Sequence, residues 1–494
     1  MTCRYNACAS DSQPKNTPVR RAAVKVSAEP VQSGGEHAGR VRPFHVTIFG
    51  REGVSRVSLS NYFRPHTVMD LALYDTRQQA WTRRDAAHLL WRTQCGASEA
   101  EITRALAEGM EKTLDGLLAP PMEDASFKET AALLRQTAGD ADNIEPLKTW
   151  WLYRMTAGPS PLAEKMCLFW HNIFATSNVK VRSARHMGAQ NDLIRTHALG
   201  DFNALLAGMS RDVAMLVWLD GNANRLRSPN ENFAREVMEL FTLGVGNYTE
   251  TDIKEAARAF TGWHVRNDEF WFNRLQHDTG TKKVFGESGN FDGDDVLRLC
   301  LKHEACPRFL AMRLLQEFVM PHPDVAAVTA VARSIRAHDF QMTPVLREVL
   351  GSQLFFSSAA RHSLIKSPVQ FVLGTYRALD VRPNLKTTAQ IIAGLGQDLF
   401  QPPTVKGWEG GRLWITSATL IQRANFAASL TTSETCGRIN APLASVEQLA
   451  ELLLARDADL SSAASYFAKA SGSRDERIRG ALQLILTMPE YQLA

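Results

Sequence analysis

Asn230-Glu231-Asn232-Phe233-Ala234-Arg235-Glu236-Val237-Met238-Glu239-Leu240, continuing through Phe241-Thr242-Leu243-Gly244, is the stretch that decides how this chain folds. At about 100° per residue, with Glu231 at zero, the residues Glu231, Thr242, Arg235, Glu239, Asn232 and Glu236 fill one arc of a helix. Leu240, Phe233, Val237, Phe241, Ala234 and Met238 fill the opposite arc. Asn230 is suited to the N-cap, Glu231 sits in the first turn where the helix dipole favours a carboxylate, and Gly244 suits the C-terminal stop. Glu231 and Arg235, like Arg235 and Glu239, are four residues apart and can pair along the face. The arc is therefore either a solvated face laced with ion pairs or the wall of a pocket. Leu243, which falls inside the polar arc, speaks for a face that is not simply wet.

A second helix begins at once. Thr249 and Asp252 form a capping-box-like start, and Ile253, Ala256, Ala257 and Phe260 give one apolar stripe before Gly262-Trp263. Arg258 points away from that stripe, either to solvent or toward the glutamates of the first helix as a counter-charge.

Outward from this helical hairpin the same period dominates. Helices are expected over 84–94, over a run from the capping box Ser98-Glu99-Ala100-Glu101 with Ile102, Leu106, Met110 and Leu114 as its stripe, and near 126–137, 146–156, 162–175, 185–199 and 202–219. Ala119-Pro120-Pro121 stops the second of these. Beyond the hairpin, helices are expected over 292–303, 307–318, 324–338, 343–350, 362–379, 387–399, 417–431, 446–455 and 474–488. Residues 264–291, with Phe270, Phe272, Asp278-Thr279-Gly280 and Val284-Phe285-Gly286, predict a short β-hairpin insert with an aromatic face. The fold class is all-α: a large helical, bundle-like globular domain over 84–490, with a looser C-terminal layer from 320. Residues 1–42 are polar and rich in Ser, Gly, Gln and Pro and predict a disordered tail; 43–82 form a lead-in, irregular apart from an extended stretch at His45–Phe49.

Composition narrows the function. At 494 residues, 45% hydrophobic and 22% charged, the chain has the make-up of a globular protein with a sizeable core. A net charge of +4 without a dense Lys/Arg run gives no reason to expect nucleic acid as a partner. No apolar stretch approaches the roughly 20 residues needed to cross a bilayer. The cysteines at 3, 8, 95, 167, 300, 306 and 436 are odd in number and include no CxxC pair, which speaks against a disulfide framework or a zinc knuckle. Cys167 and Cys300 read as small core residues. Arg20-Arg21 is not followed by an apolar segment, so the sequence as written predicts a cytoplasmic protein, or a periplasmic or exported one if its true start lies elsewhere.

The hairpin, together with His88-Leu89-Leu90-Trp91-Arg92, Glu164-Lys165-Met166 with Leu168-Phe169-Trp170-His171, Phe291-Asp292-Gly293-Asp294-Asp295-Val296, and Pro402-Pro403-Thr404-Val405-Lys406-Gly407-Trp408 continuing to Gly410-Gly411, resembles the bacterial domain of unknown function 1800 over roughly residues 84–490. Thr93-Gln94-Cys95 departs from the Ala-Gly-Phe usual in that family. The resemblance implies a mostly helical bacterial protein, often exported, whose companion is a sulfatase-like protein. It assigns no catalytic residue, and the cofactor is unknown.

The residues themselves suggest candidates. Helix 162–175 is apolar nearly all round, so its Glu164 and His171, seven apart and on one line, need partners. His171 is either a core histidine or part of a pocket with Glu231, Arg235, Glu236, Glu239 and Arg258, suited to metal-assisted hydrolysis or acid/base chemistry. No HExxH, ExxH or His-x-His spacing supports a metal, and none is assigned. Asn290 to Asp295 fails as an EF-hand, having Asp295 where glycine belongs and Leu301 where glutamate belongs, and reads as an N-cap by Asp292. The loop holding Trp408, Arg412 and Trp414 either presents its aromatic rings to a ligand or plugs the core with them. No GxSxG, Walker A or GxGxxG pattern occurs. Two expectations follow: a helical binding or scaffold protein working with the sulfatase-like companion, or an enzyme or ligand-binding protein with a His/Glu/Arg pocket roofed by the Trp408 loop.

Overall fold

The structure is a computed structural model describing residues 45–50, 53–58, 71–119, 122–432 and 445–494. The chain divides into two units, Met1–Thr67 and Val68–Ala494. In the first, the extended stretch at His45 is strand β1 (His45–Gly50), paired antiparallel with β2 (Gly53–Ser58), Phe49 opposite Val54. The expected disordered tail lies outside the described residues.

The second unit is helical, as the apolar periodicity requires. It begins with α1 (Arg83–Gln94), α2 (Glu99–Glu108), α3 (Met110–Leu118), α4 (Ala125–Ala141), α5 (Ile144–Ala157) and α6 (Pro161–Ile173). Then come α7 (Asn178–Val181), α8 (Ala184–His197), α9 (Phe202–Arg211), α10 (Val213–Trp218), α11 (Glu231–Glu236) and α12 (Glu250–Ala259). After a β insert follow α13 (Gly293–Lys302), α14 (Ala305–Phe318), α15 (Val325–Ala337), α16 (Met342–Leu350), α17 (Pro368–Ala378) and α18 (Leu385–Gly394). The last four are α19 (Ser417–Thr432), α20 (Val446–Leu454), α21 (Ser461–Lys469) and α22 (Arg474–Thr487).

The capping boxes read from sequence at Ser98/Glu101 and Thr249/Asp252 close, and the expected N-cap Asp292 forms a box with Asp295. Helix α6 occupies the centre, packed against α1, α3, α5 and α8. Its Met166, Cys167 and Trp170 are completely buried, as an all-round apolar helix must be.

Two helical runs need correction, the β insert is larger than expected, and one helix was not anticipated. The run from Ser98 is two helices, because Gly109 at φ +84° leaves helical backbone and resets the phase. Within the first of them, before that break, Ile102 and Ala105 face the core and Leu106 is 39% exposed. The run 202–219 likewise breaks at Asp212, whose extended backbone lets its carboxylate accept from the Met215 N–H at 2.8 Å and cap α10. The insert is two hairpins: β3 (Trp263–Arg266) with β4 (Glu269–Phe272), turned by Asn267 and Asp268 at positive φ, and β5 (Lys282–Val284) with β6 (Glu287–Gly289). Helix α21 carries only a short stripe, Leu460, Ala463, Ala464 and Phe467, of which Ala463 alone is buried, and was not expected.

Candidate functional site

Helix α11 passes without interruption into a π-helical turn, Val237–Thr242. In this geometry a residue bonds back five positions instead of four, which inserts an extra residue into the turn. Leu243 N donates to Met238 O at 2.8 Å, and Thr242 Oγ1 donates to Val237 O at 2.6 Å. Everything after Val237 is rotated relative to an unbroken α-helix. Thr242 and Leu243, which α-periodicity puts on the polar arc, are 0% and 1% exposed. The stray Leu243 is thus explained by a change of helical pitch.

The charges left on the arc are partly exposed and spent locally. Arg235 donates to Glu231 at 3.1 Å and to both carboxylate oxygens of Glu250 at 2.9 Å, tying α11 to the first turn of α12. Glu239 accepts from Tyr248 Oη at 2.6 Å. Burial raises the pKa of Glu236, and the neighbouring charge of Glu239 raises it further, against the pull of Arg235 and Lys406. Arg258 takes neither of its expected roles. Its Nε and Nη2 donate to Asp278 at 2.8 and 3.2 Å and its Nη1 to Glu255 at 2.8 Å, fastening α12 to the β insert.

His171 is completely buried, its ring against Trp151, Phe400 and Trp408 with centroids 5.4, 5.6 and 5.8 Å away. Neither ring nitrogen has a hydrogen-bond partner. Burial pushes its pKa down to about 4, and no charge contributes to that shift. No hydrogen bond joins His171 to Glu231, Glu236 or Glu239. Among the described residues no three His, Cys, Asp or Glu side chains are grouped to hold a metal ion.

The Trp408 loop is stapled to α6. Trp408 N donates to Asn172 Oδ1 at 2.7 Å, and Asn172 Nδ2 returns a bond to Trp408 O at 3.2 Å. Gly407 permits this approach: at φ +77° its backbone suits glycine, and a Cβ there would lie 2.2 Å from Asn172 Oδ1. Trp408 and Trp414 are both buried, while Arg412 is exposed. The loop thus turns its aromatic rings inward.

Sequence reasoning asked for a partner for Glu164 without finding it. The structure supplies two. Arg195 of α8 donates to both carboxylate oxygens at 2.7 and 3.0 Å, Arg154 of α5 donates at 2.9 Å, and Trp151 Nε1 adds a bond at 3.1 Å. Burial alone would raise the Glu164 pKa; Arg195 and then Arg154 outweigh it and hold the carboxyl below its usual range. Arg154 also pairs with Glu123. This cluster lines a cavity of about 260 Å³. A second cavity, of about 430 Å³ and lined by Glu101, Arg104, Lys112 and Arg377, shares the segment Gly158–Ser160 with it. No spacing rule links residues 123, 154, 164 and 195. The one available signal was a carboxylate on a helix too apolar to leave it unpaired.

No match to the chain was found among curated proteins or among solved structures. A family model, described as "Protein of unknown function (DUF1800)", matches residues 88–493. That span takes in most of α1, the central helix α6, the π-turned hairpin and the Trp408 loop, and it places the chain in the DUF1800 family.

Proposed function

We propose that this is a helical binding protein whose docking face is the polar arc of the α11–α12 hairpin. The observation that carries this reading is the way the hairpin's charges are arranged. Arg235 bridges Glu231 and Glu250, and Glu239 is tied to Tyr248, so the face is held rigid while Glu231 and Glu250 keep side-chain exposures of 37% and 66%. Pre-organised, partly exposed charge of this kind favours recognition and orientation of a partner over chemistry. The partner we propose is the sulfatase-like companion that the family resemblance implies. An enzymatic pocket built by His171 and the hairpin receives less support, since the histidine is sealed among aromatic rings and no charge shifts its pKa.

The test is co-expression and co-purification of the full chain with a sulfatase-like protein of the same organism, then titration of the two. Reversing Glu231→Lys and Glu250→Lys together should weaken association by about tenfold or more, with circular dichroism and melting temperature little changed. Affinity indifferent to the reversal, or no complex at all, would count against the proposal.

A further inference from the structure

We infer that the cavity between α5, α6 and α8 binds a small monocarboxylate, held by Arg154, Ser160 and the N-terminus of α6. Two related features of Ser160 and a separate one of Arg154 point there. First, the thirteen-residue helix α6 begins without a side-chain cap: Ser160 stands at the N-cap and makes no capping bond. Second, Ser160 is only 9% exposed, lines the cavity, and its hydroxyl has no partner. A buried hydroxyl that neither caps its own helix nor bonds elsewhere is costly unless something else accepts from it. Third, Arg154 is only partly used. Its Nε serves Glu164 and its Nη2 serves Glu123, whereas Nη1 finds no acceptor among the described residues. Arg195, by contrast, spreads its nitrogens over Glu164, Asn191 and Asp192.

The charge balance selects the ligand. Arg154 and Arg195 are offset by Glu123 and Glu164, all of them lining the cavity. The helix N-terminus adds a partial positive charge of roughly half a unit. The lining is therefore left with about half a positive charge, which favours a monoanion over a cation, and a dianion would be repelled by the two carboxylates. A cation finds Glu164 already saturated by four donors. Leu118, Ala163 and Leu199 supply apolar lining suited to a hydrocarbon tail. At about 30 Å³ per water, the 260 Å³ cavity holds roughly nine waters, which limits the ligand to a short chain.

The full chain is titrated calorimetrically with hexanoate, hexylamine and inorganic phosphate, and melting is followed in each. Saturable binding of hexanoate alone, at one site, is expected. Ser160→Ala should weaken it about fivefold by removing one hydrogen bond. Ala163→Phe, which fills the cavity without touching an ion pair, should abolish it. Failure of hexanoate to bind overturns the inference, as does equal or tighter binding of hexylamine or phosphate, or hexanoate binding undiminished in Ala163→Phe. Should Ala163→Phe not fold, Ser160→Ala decides: an unchanged affinity overturns the inference.

Discussion

Replacing His171 with leucine should make this protein more resistant to acid. In the folded chain the imidazole is sealed among Trp151, Phe400 and Trp408, and its pKa falls from 6.5 to about 4. The unfolded chain titrates normally. Between those two values the unfolded state holds the extra proton, so stability rises with pH across the window. Its full value is present above 6.5 and is lost progressively as the pH falls toward 4. At about pH 5 the interval covered is roughly 1.5 units, and at about 1.4 kcal/mol per unit the parent loses about 2 kcal/mol relative to about pH 8. His171→Leu cannot lose it. At about pH 8 the variant should be as stable as the parent or more so, because both ring nitrogens are buried without partners. His88 and His362 also have pKa values depressed by burial, but they titrate in both proteins and cancel in the difference. Urea unfolding of both proteins at the two pH values measures the gap. A gap that fails to widen by about 2 kcal/mol toward the parent's disadvantage at low pH would refute the reasoning, and a variant equally destabilised at both would show that His171 makes a favourable polar contact.

Glu164→Gln should cost about 2–4 kcal/mol in denaturant unfolding, since the buried Arg154 and Arg195 would lose the carboxylate they share and keep only Glu123 and Asp192. Asp212 behaves oppositely to His171: burial pushes its pKa up from 3.8 to about 6, so the folded state keeps a proton the unfolded state has lost, and stability falls as pH rises through that window. Asp212→Asn should therefore gain on the parent by roughly 2–3 kcal/mol between about pH 4 and pH 7, read from paired melting curves. Gly407→Ala, which drives a methyl group onto Asn172 and strains a positive-φ position, should destabilise by about 1–3 kcal/mol, seen as a lowered melting temperature with loosened near-ultraviolet tryptophan signals.

Much of the helical framework was legible because it is written locally. Ser98 with Glu101, Thr249 with Asp252, and Asp292 with Asp295 each define a helix start within four residues, and the apolar character of Met166 to Ile173 demands a buried α6. What was not legible depends on phase or on distance. The π turn in 237–242 follows no propensity rule, so α-periodicity placed Thr242 and Leu243 on the wrong side of the hairpin. Gly109 and Asp212 end helices through single backbone angles that an apolar stripe does not register. The arc and Arg258 could be read equally as solvated or as paired, because Glu250, Tyr248 and Asp278 come from elements whose approach only the fold sets. The Glu164 cluster draws on four separated segments and has no sequence signature.

Hydrogen exchange of the hairpin amides, with and without the sulfatase-like companion, tests the proposed docking face most directly. A docked partner should slow exchange across 231–250 while leaving the amides of α6 and the Gly158–Ser160 segment unchanged. Complex formation with no added protection in the hairpin, or with protection confined to another surface, would contradict it.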